Sequence, residues 1–272
     1  MARYVWRGIV VCFSLLRPLN SLKLKADLNR RLSSNFLGMS SMITGGNTAI
    51  PALRHINDRC DVILASGSPR RKELLVLMGI HNFRVLKSDF AEDLDHKKFP
   101  LASSYCLETA IAKAADVVSN IEKSGNQKCG MLLIGSDTIV EIDGRILEKP
   151  RDAEDAYSMI SLLSGNVHVV HTAVTIFGNG KPSETDKLAT AQMVPLSSFV
   201  ESTSVKFMLL DEADKMAYIE SREGFDKAGG YGIQGLGGQM VEKIDGCYFN
   251  VMGLPLSRLS KEIAILYKSD RI

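Results

Sequence analysis

Hydrophobic and polar positions along this chain follow two periods, and the switches between them mark its elements. An apolar run over 61–65 (Asp61-Val-Ile-Leu-Ala65) ends at Ser66-Gly-Ser-Pro69, which reads as a buried strand entering a turn. The period then lengthens. Leu74, Leu75, Leu77 and Met78 form a stripe that stops at Gly79, predicting a helix with Ser68 as its cap and Pro69 in its first turn. Residues 105–121 place Leu107, Ile111, Ala114 and Val118 on one helical face. A strand is predicted over 131–140, followed by an Asp143-Gly144 hairpin and a return over 145–147. Asp152 then caps a helix carrying Ala156, Met159, Ile160 and Leu163, which ends at Gly165. Residues 167–177 are β-branched and alternate, 205–209 reads as a further strand, and 211–220 as a helix. Interleaved strands and helices, joined by a hairpin and by crossovers, predict an α/β domain with a mixed sheet flanked by helices.

Length changes this picture little: 272 residues, 45% of them hydrophobic, suit one α/β domain plus a small extra segment. Charge changes it more. Residues 1–56 carry eight basic side chains against the single acid Asp27, so the remainder of the chain is net negative despite an overall +2. Such a body has no broad basic face for nucleic acid, and any polyphosphate site must be a local cluster. The basic, serine-containing, acid-poor leader fits a mitochondrial or plastid transit peptide; its apolar stretch over 9–16 is closed at once by Arg17 without a small-residue cleavage site. We therefore divide the chain into a 1–56 extension and a 57–272 domain, with organellar targeting and a cytoplasmic location both open. No apolar run reaches the length of a membrane span. Five cysteines without a CxxC pair fit a reducing compartment better than a zinc site or a disulfide framework.

Three stretches carry candidate chemistry. Ser66-Gly-Ser-Pro-Arg-Arg71 stands at a strand-to-helix junction, where free N–H groups suit phosphate oxygens. Arg70 and Arg71 occupy the first turn, where the macrodipole disfavours cations, an arrangement that makes sense if a polyanion docks there. The alternative is a solvated basic turn; no P-loop sequence is present. In Gly135-Ser-Asp-Thr138, Asp137 interrupts an apolar strand and must be partnered, as a structural acid, a metal ligand or a general base. Lys113 and Lys149 are candidate phosphate contacts, and Glu92 could share a divalent metal with Asp137 or simply belong to an acidic surface loop. Finally, 229–238 holds six glycines and the amide Gln234. Its GxGxxG match is not a dinucleotide fingerprint, because a helix precedes it and no helix pattern follows. The glycines would instead let the backbone approach a ligand, with Gln234 able to read a base. His168 and His171 lie three apart in one strand, point to opposite faces and read as structural.

These blocks, in this order, resemble the Maf family of nucleotide pyrophosphatases: Ala65-Ser-Gly-Ser-Pro-Arg-Arg71, Gly135-Ser-Asp-Thr-Ile-Val140, Leu147-Glu-Lys-Pro-Arg-Asp152, Asp226-Lys-Ala-Gly-Gly-Tyr-Gly-Ile-Gln-Gly235 and Asn250-Val-Met-Gly-Leu-Pro-Leu256. The likeness runs from about residue 62 to the C-terminus. It implies an elongated two-lobed α/β fold around a central cleft, a homodimer, a divalent metal such as Mg²⁺ or Mn²⁺, and hydrolysis of nucleoside triphosphates to monophosphate and diphosphate. It makes Asp137 the catalytic acid-base residue and a metal ligand with Glu92, and lines the phosphate path with Ser66, Ser68, Arg70, Arg71, Lys113 and Lys149. Arg70, Thr138 and Gln234 resemble the specificity positions of the dTTP/UTP subgroup. A non-catalytic nucleotide-binding regulator is the alternative. The leader has no counterpart in compact bacterial members, and the stretch over 190–204 looks longer than usual.

Overall fold

A helix that the periodicity did not predict, α1 (Pro51–Arg59), precedes the first strand. It belongs to a computed structural model that describes residues 50–91, 93–126, 128, 130–179 and 192–272. Its Ala52, Leu53 and Ile56 are buried. The domain boundary expected at residue 57 falls inside this helix, and residues 47–272 form one compact unit.

β1 (Asp61–Ala65) is the expected apolar run, buried from Val62 onward. The turn after it leads into α2 (Pro69–Leu77), whose N-cap residue Ser68 makes no side-chain cap bond. Ser66 Oγ instead accepts from the Ser68 N–H at 3.2 Å. β2 (Phe83–Val85) is too short to show a period. α3 (Ala102–Lys123) extends the expected helix at both ends. β3 (Met131–Ile142) and β4 (Arg145–Leu147) join through Asp143 and Gly144, both at positive φ as a tight hairpin requires. In α4 (Ala153–Leu163) the Asp152 carboxylate accepts from the Asp155 N–H at 2.8 Å, as the sequence predicts. β5 (Val167–Gly178) pairs with β6 (Val194–Phe207), which runs much further back than the strand expected over 205–209. Its polar centre, Glu201-Ser-Thr-Ser204, carries no apolar alternation, and pairing with β5 holds it extended. α5 (Glu212–Glu220) is followed by the glycine segment, β7 (Val241–Asp245), α6 (Tyr248–Met252) and α7 (Leu256–Lys268).

Among the described residues, seven strands form one mixed sheet in the order β2-β1-β3-β5-β6-β7, with β4 paired to β3. β1 is parallel to β2 and β3; the other pairs are antiparallel. Because successive side chains alternate faces, β3 sorts the layers. Leu132 and Ile134 pack with α1, α2 and α7, Val140 and Ile142 with α4 and α5, and Met131, Leu133 and Ile139 with α3 on the opposite face. One helix thus covers one face, and two groups of helices cover the two ends of the other.

β3 also carries a gap. Its pairing with β1 ends at Gly135 opposite Ala65, and its pairing with β4 begins only at Val140 opposite Leu147. On that edge, no strand among the described residues neighbours residues 136–139. A strand that leaves its parallel partner just past that partner's carboxyl end opens a crevice of the kind α/β sheets use for ligands.

Candidate active site

The crevice at the β3 gap is a cleft of about 440 Å³. Ser66, Ser68, Arg70, Arg71, Lys113, Asp137, Thr138, Lys149 and Gln234 all line it. Glu92, the second expected metal ligand, lies outside the described residues. Residues far apart in sequence meet here because β1 and β3 deliver their carboxyl-side residues to one point, while α3 crosses behind β3.

Asp137 is buried in the middle of β3, and its Oδ1 accepts from Lys113 Nζ at 2.7 Å. Both side chains are largely removed from solvent, with 14% of Lys113 and 9% of Asp137 exposed. The mutual attraction of such a pair is stronger than in water and offsets the cost of desolvating both charges, so removing either partner would leave an uncompensated buried charge. The closeness of α3 to β3 depends on Gly135. A Cβ there would stand 2.8 Å from Ala114 Cβ and 3.1 Å from Thr175 Cγ2, so glycine permits the approach that brings Lys113 onto Asp137.

Arg71 ties the walls together. Its Nε donates to Gly253 O at 2.9 Å, Nη1 to Ser136 O at 2.7 Å and Ser66 Oγ at 3.1 Å, and Nη2 to Thr138 Oγ1 at 2.8 Å. One guanidinium fork thus joins the turn after β1, the exposed edge of β3 and the segment between α6 and α7. Thr172 Oγ1 donates to Asn250 O at 2.9 Å, so at the 3.0 Å contact with Thr138 the proton must come from Thr138. Thr138 therefore accepts from Arg71 and donates to Thr172, and its hydroxyl proton is committed within the wall. Asn250 is fully buried and donates from Nδ2 to Val170 O and Thr203 Oγ1, each at 2.9 Å.

Arg70 reaches outward, with Nη1 3.6 Å from Asp226 Oδ2. Burial alone would raise the Asp226 carboxyl, but the Lys227 hydrogen bond and the charges of Lys227 and Arg70 hold it below the usual carboxylate range. Gln234 lies on the cleft wall with its side chain exposed, a correction to the buried amide that base discrimination by desolvation would need. Behind the glycine segment, His168 Nε2 lies 2.8 Å from Tyr231 Oη, and burial lowers the His168 pKa to about 4. His171 lies between Glu141 and Ser202, at 2.8 Å from each. Both rings therefore sit in hydrogen-bonded positions within the sheet.

Several lining residues escaped the sequence reading. Lys87 lies across the turn after β1, where a Cβ on Gly67 would come within 3.0 Å of its Cε. No acidic partner of Lys87 occurs among the described residues. Ser88 Oγ and the Asp89 N–H donate to Asp116 Oδ2 at 2.8 and 2.9 Å, fixing the backbone beside Lys87 to α3. Glu148 accepts from Tyr105 Oη at 2.6 Å, and burial followed by that contact raises the Tyr105 pKa. Glu148 carried a signal in the sequence as part of the 147–152 block, whereas Lys87 in a polar loop and Asp116, one helical turn after Lys113, look like solvated positions.

The model of the Maf family, described as Maf-like protein, matches residues 61–266. The chain belongs to the Maf family. Among Maf-family relatives, the dTTP/UTP pyrophosphatase of Aliivibrio fischeri is 47% identical over 195 residues, which cover 72% of this chain and 92% of that protein. The dTTP/UTP pyrophosphatase of Carboxydothermus hydrogenoformans is 40% identical over 202 residues, covering 74% and 96%. A human protein described as a probable bifunctional dTTP/UTP pyrophosphatase/methyltransferase is 43% identical over 211 residues, which are 77% of this chain but 32% of the human one. This Maf chain thus spans nearly the whole of the compact bacterial relatives and about a third of the human one.

Proposed function

We propose that this chain hydrolyses dTTP and UTP to the monophosphate and diphosphate. The observation that carries the reading is the buried Lys113–Asp137 pair at 2.7 Å, set at a gap in the sheet edge among lining cations. Relatives named for this activity support the same reading. Water oxygen attacks the α-phosphorus, the bond from that phosphorus to the bridging oxygen breaks, and diphosphate leaves with the electron pair. Lys113 holds Asp137 Oδ1, which leaves Oδ2 to orient the water and take its proton, or to bind a metal. Ser66, Ser68, Arg70 and Lys149 border the polyphosphate path, and Arg71 acts by fixing Ser66 and the edge of β3 in place. A divalent cation fits this site as a hard ion that takes one or two carboxylates plus substrate phosphates, and Asp137 is the described carboxylate that would hold it. Bound there, it would supply Lewis-acid neutralisation of charge on the phosphate oxygens. Among the described residues no group of three His, Cys, Asp or Glu side chains forms a self-sufficient metal cage.

Gln234, Arg70 and Thr138 are the proposed selectivity positions. A glutamine amide offers both a donor and an acceptor, matching the N3–H and a carbonyl of uracil or thymine, whereas a glutamate would offer acceptors only. Since Gln234 is exposed in the cleft, a mismatched base costs the lower part of the roughly 1–3 kcal/mol range for unpaired polar groups, or about 5- to 10-fold in selectivity. The test measures phosphate released through coupled inorganic pyrophosphatase, as kcat/KM for dTTP, UTP, CTP, GTP and 7-methyl-GTP, in wild type and Gln234→Glu. Pyrimidine preference that erodes in the variant supports the reading. Preference for 7-methyl-GTP, or nucleotide binding without turnover, rejects it. We further propose that the leader directs the chain to an organelle; a leader–fluorescent protein fusion that stays diffuse in the cytosol rejects that. No helix among the described residues is long and apolar enough to cross a membrane.

A further inference from the structure

Glu223 lies in the turn after α5, outside the blocks that carry the family resemblance, yet its carboxylate is the hub of the glycine segment. Oε2 accepts from the Leu236 N–H at 2.7 Å and Oε1 from the Gly237 N–H at 3.0 Å. Tyr218 Oη donates to Oε1 at 3.4 Å and itself accepts from the Gly232 N–H at 3.2 Å. Burial, and then the nearby Glu223 charge, raise the Tyr218 pKa, which keeps this phenol a donor. The backbone is therefore tied to one carboxylate on both sides of Gln234, directly at 236 and 237 and through Tyr218 at 232. Gly235 leaves room for the contact, since a Cβ there would fall 2.2 Å from Oε2. The same residue reaches Arg70 by a second route: Lys227 Nζ donates to the Glu223 carbonyl and to Asp226 Oδ1, and Asp226 pairs with Arg70.

We propose that Glu223 is the positioning residue for pyrimidine selectivity, fixing the glycine segment so that Gln234 meets the base at a defined place. This rests on the reading of Gln234 as the base contact. A segment with glycine at 232, 235, 237 and 238 has high intrinsic backbone freedom, and a hydrogen bond from Gln234 discriminates only if its backbone is held. Two charge-assisted bonds to consecutive N–H groups provide that hold. Gln234, exposed on the cleft wall, has its placement set from behind the segment rather than by packing of its own side chain.

The experiment compares wild type, Glu223→Ala, Glu223→Gln, Gln234→Ala and the Glu223→Ala/Gln234→Ala double variant, measuring kcat and KM for dTTP and GTP and the melting temperature. The dTTP/GTP ratio of kcat/KM should fall in Glu223→Ala to about that of Gln234→Ala, chiefly through a roughly tenfold rise in KM for dTTP, with GTP changed less than threefold. Glu223→Gln keeps one acceptor oxygen and should recover part of the ratio. In the double variant the ratio should fall no further than in Gln234→Ala, because the two act as one unit. If Glu223→Ala does not fold, Glu223→Gln is read against the same ratio. Equal losses for dTTP and GTP, or an unchanged ratio where Gln234→Ala changes it, overturn the positioning role. An unchanged ratio in Gln234→Ala instead overturns the base-contact reading, and this proposal with it.

Discussion

At the scale of single residues, the proposed chemistry rests on the Lys113–Asp137 pair and the cations around it. Asp137→Asn keeps the shape and an oxygen for Lys113 but removes the charge proposed to orient water or metal. Turnover of dTTP should fall by about 100-fold or more while nucleotide affinity stays within a few-fold, the usual scale for losing a general base or key electrostatic group. Turnover assays with calorimetric titration check this, and activity near wild type removes Asp137 from the mechanism. Lys87 makes a different prediction. Lying across the turn after β1 without an acidic partner among the described residues, it brings net positive charge to the cleft. Lys87→Ala should raise the KM for triphosphate roughly tenfold, or about 1.4 kcal/mol, with kcat nearly unchanged. An unchanged KM at low salt would show that it is only a solvated surface lysine. Asp137 was legible in the sequence because a carboxylate in an apolar strand demands a partner. Lys87 was not, because a lysine in a short polar loop looks like any other.

At the scale of elements, the site depends on how closely α3 approaches β3. Gly135→Ala would force Ala114 and Thr175 apart from positions that leave no space for a methyl group, at about 1–3 kcal/mol. The melting temperature and kcat should fall together, and adding Ala114→Gly should restore part of both. Loss of neither would mean the two elements shift without effect. The contact of β5 with the glycine segment is pH-sensitive through His168, buried and lowered to about 4 from an ordinary 6.5. Between those values the unfolded chain binds the proton and the folded one does not. The stabilisation is full above about pH 6.5, declines as pH falls towards 4 and amounts to something on the order of 3 kcal/mol. Chemical denaturation across that window should show the decline, and His168→Asn should flatten it. The strongly periodic elements, α3, α4, β3 and β5, were legible from their patterns. β2, α1, α6 and the first half of β6 were not, being short, polar or held by partners distant in sequence. In contrast, α7 carries Leu256, Leu259, Ile263 and Leu266 at helical spacing and was legible though not among the expected elements.

At the scale of the whole molecule, we propose that the folded body includes α1 and so starts ahead of the expected residue 57. Ala52, Leu53 and Ile56 pack into the core that includes α7 residues Leu259, Ile263 and Leu266. A chain starting at 47 should keep the turnover and melting temperature of the full sequence. One starting at 60 loses the burial of a leucine and an isoleucine, worth roughly 3–6 kcal/mol, and should melt markedly lower. Equal melting temperatures for the two would show that α1 is dispensable.

The sequence by itself determined the class of the fold and most of the chemical parts of the site. Local patterning selects strand or helix, and unusual residues such as Asp137, Arg70 and Arg71 stand out against that pattern without any tertiary information. Only the tertiary structure decided what those parts do to one another. It turned Arg71 into a clasp between three segments, committed the proton of Thr138 to Thr172, left Gln234 exposed and tied the backbone just after it to Glu223. The reason is physical. Hydrogen bonds between residues 65 to 182 positions apart, such as those of Arg71 to Gly253, Ser136 and Thr138, leave no periodic trace in the chain. They exist only after the sheet has brought its strands into register.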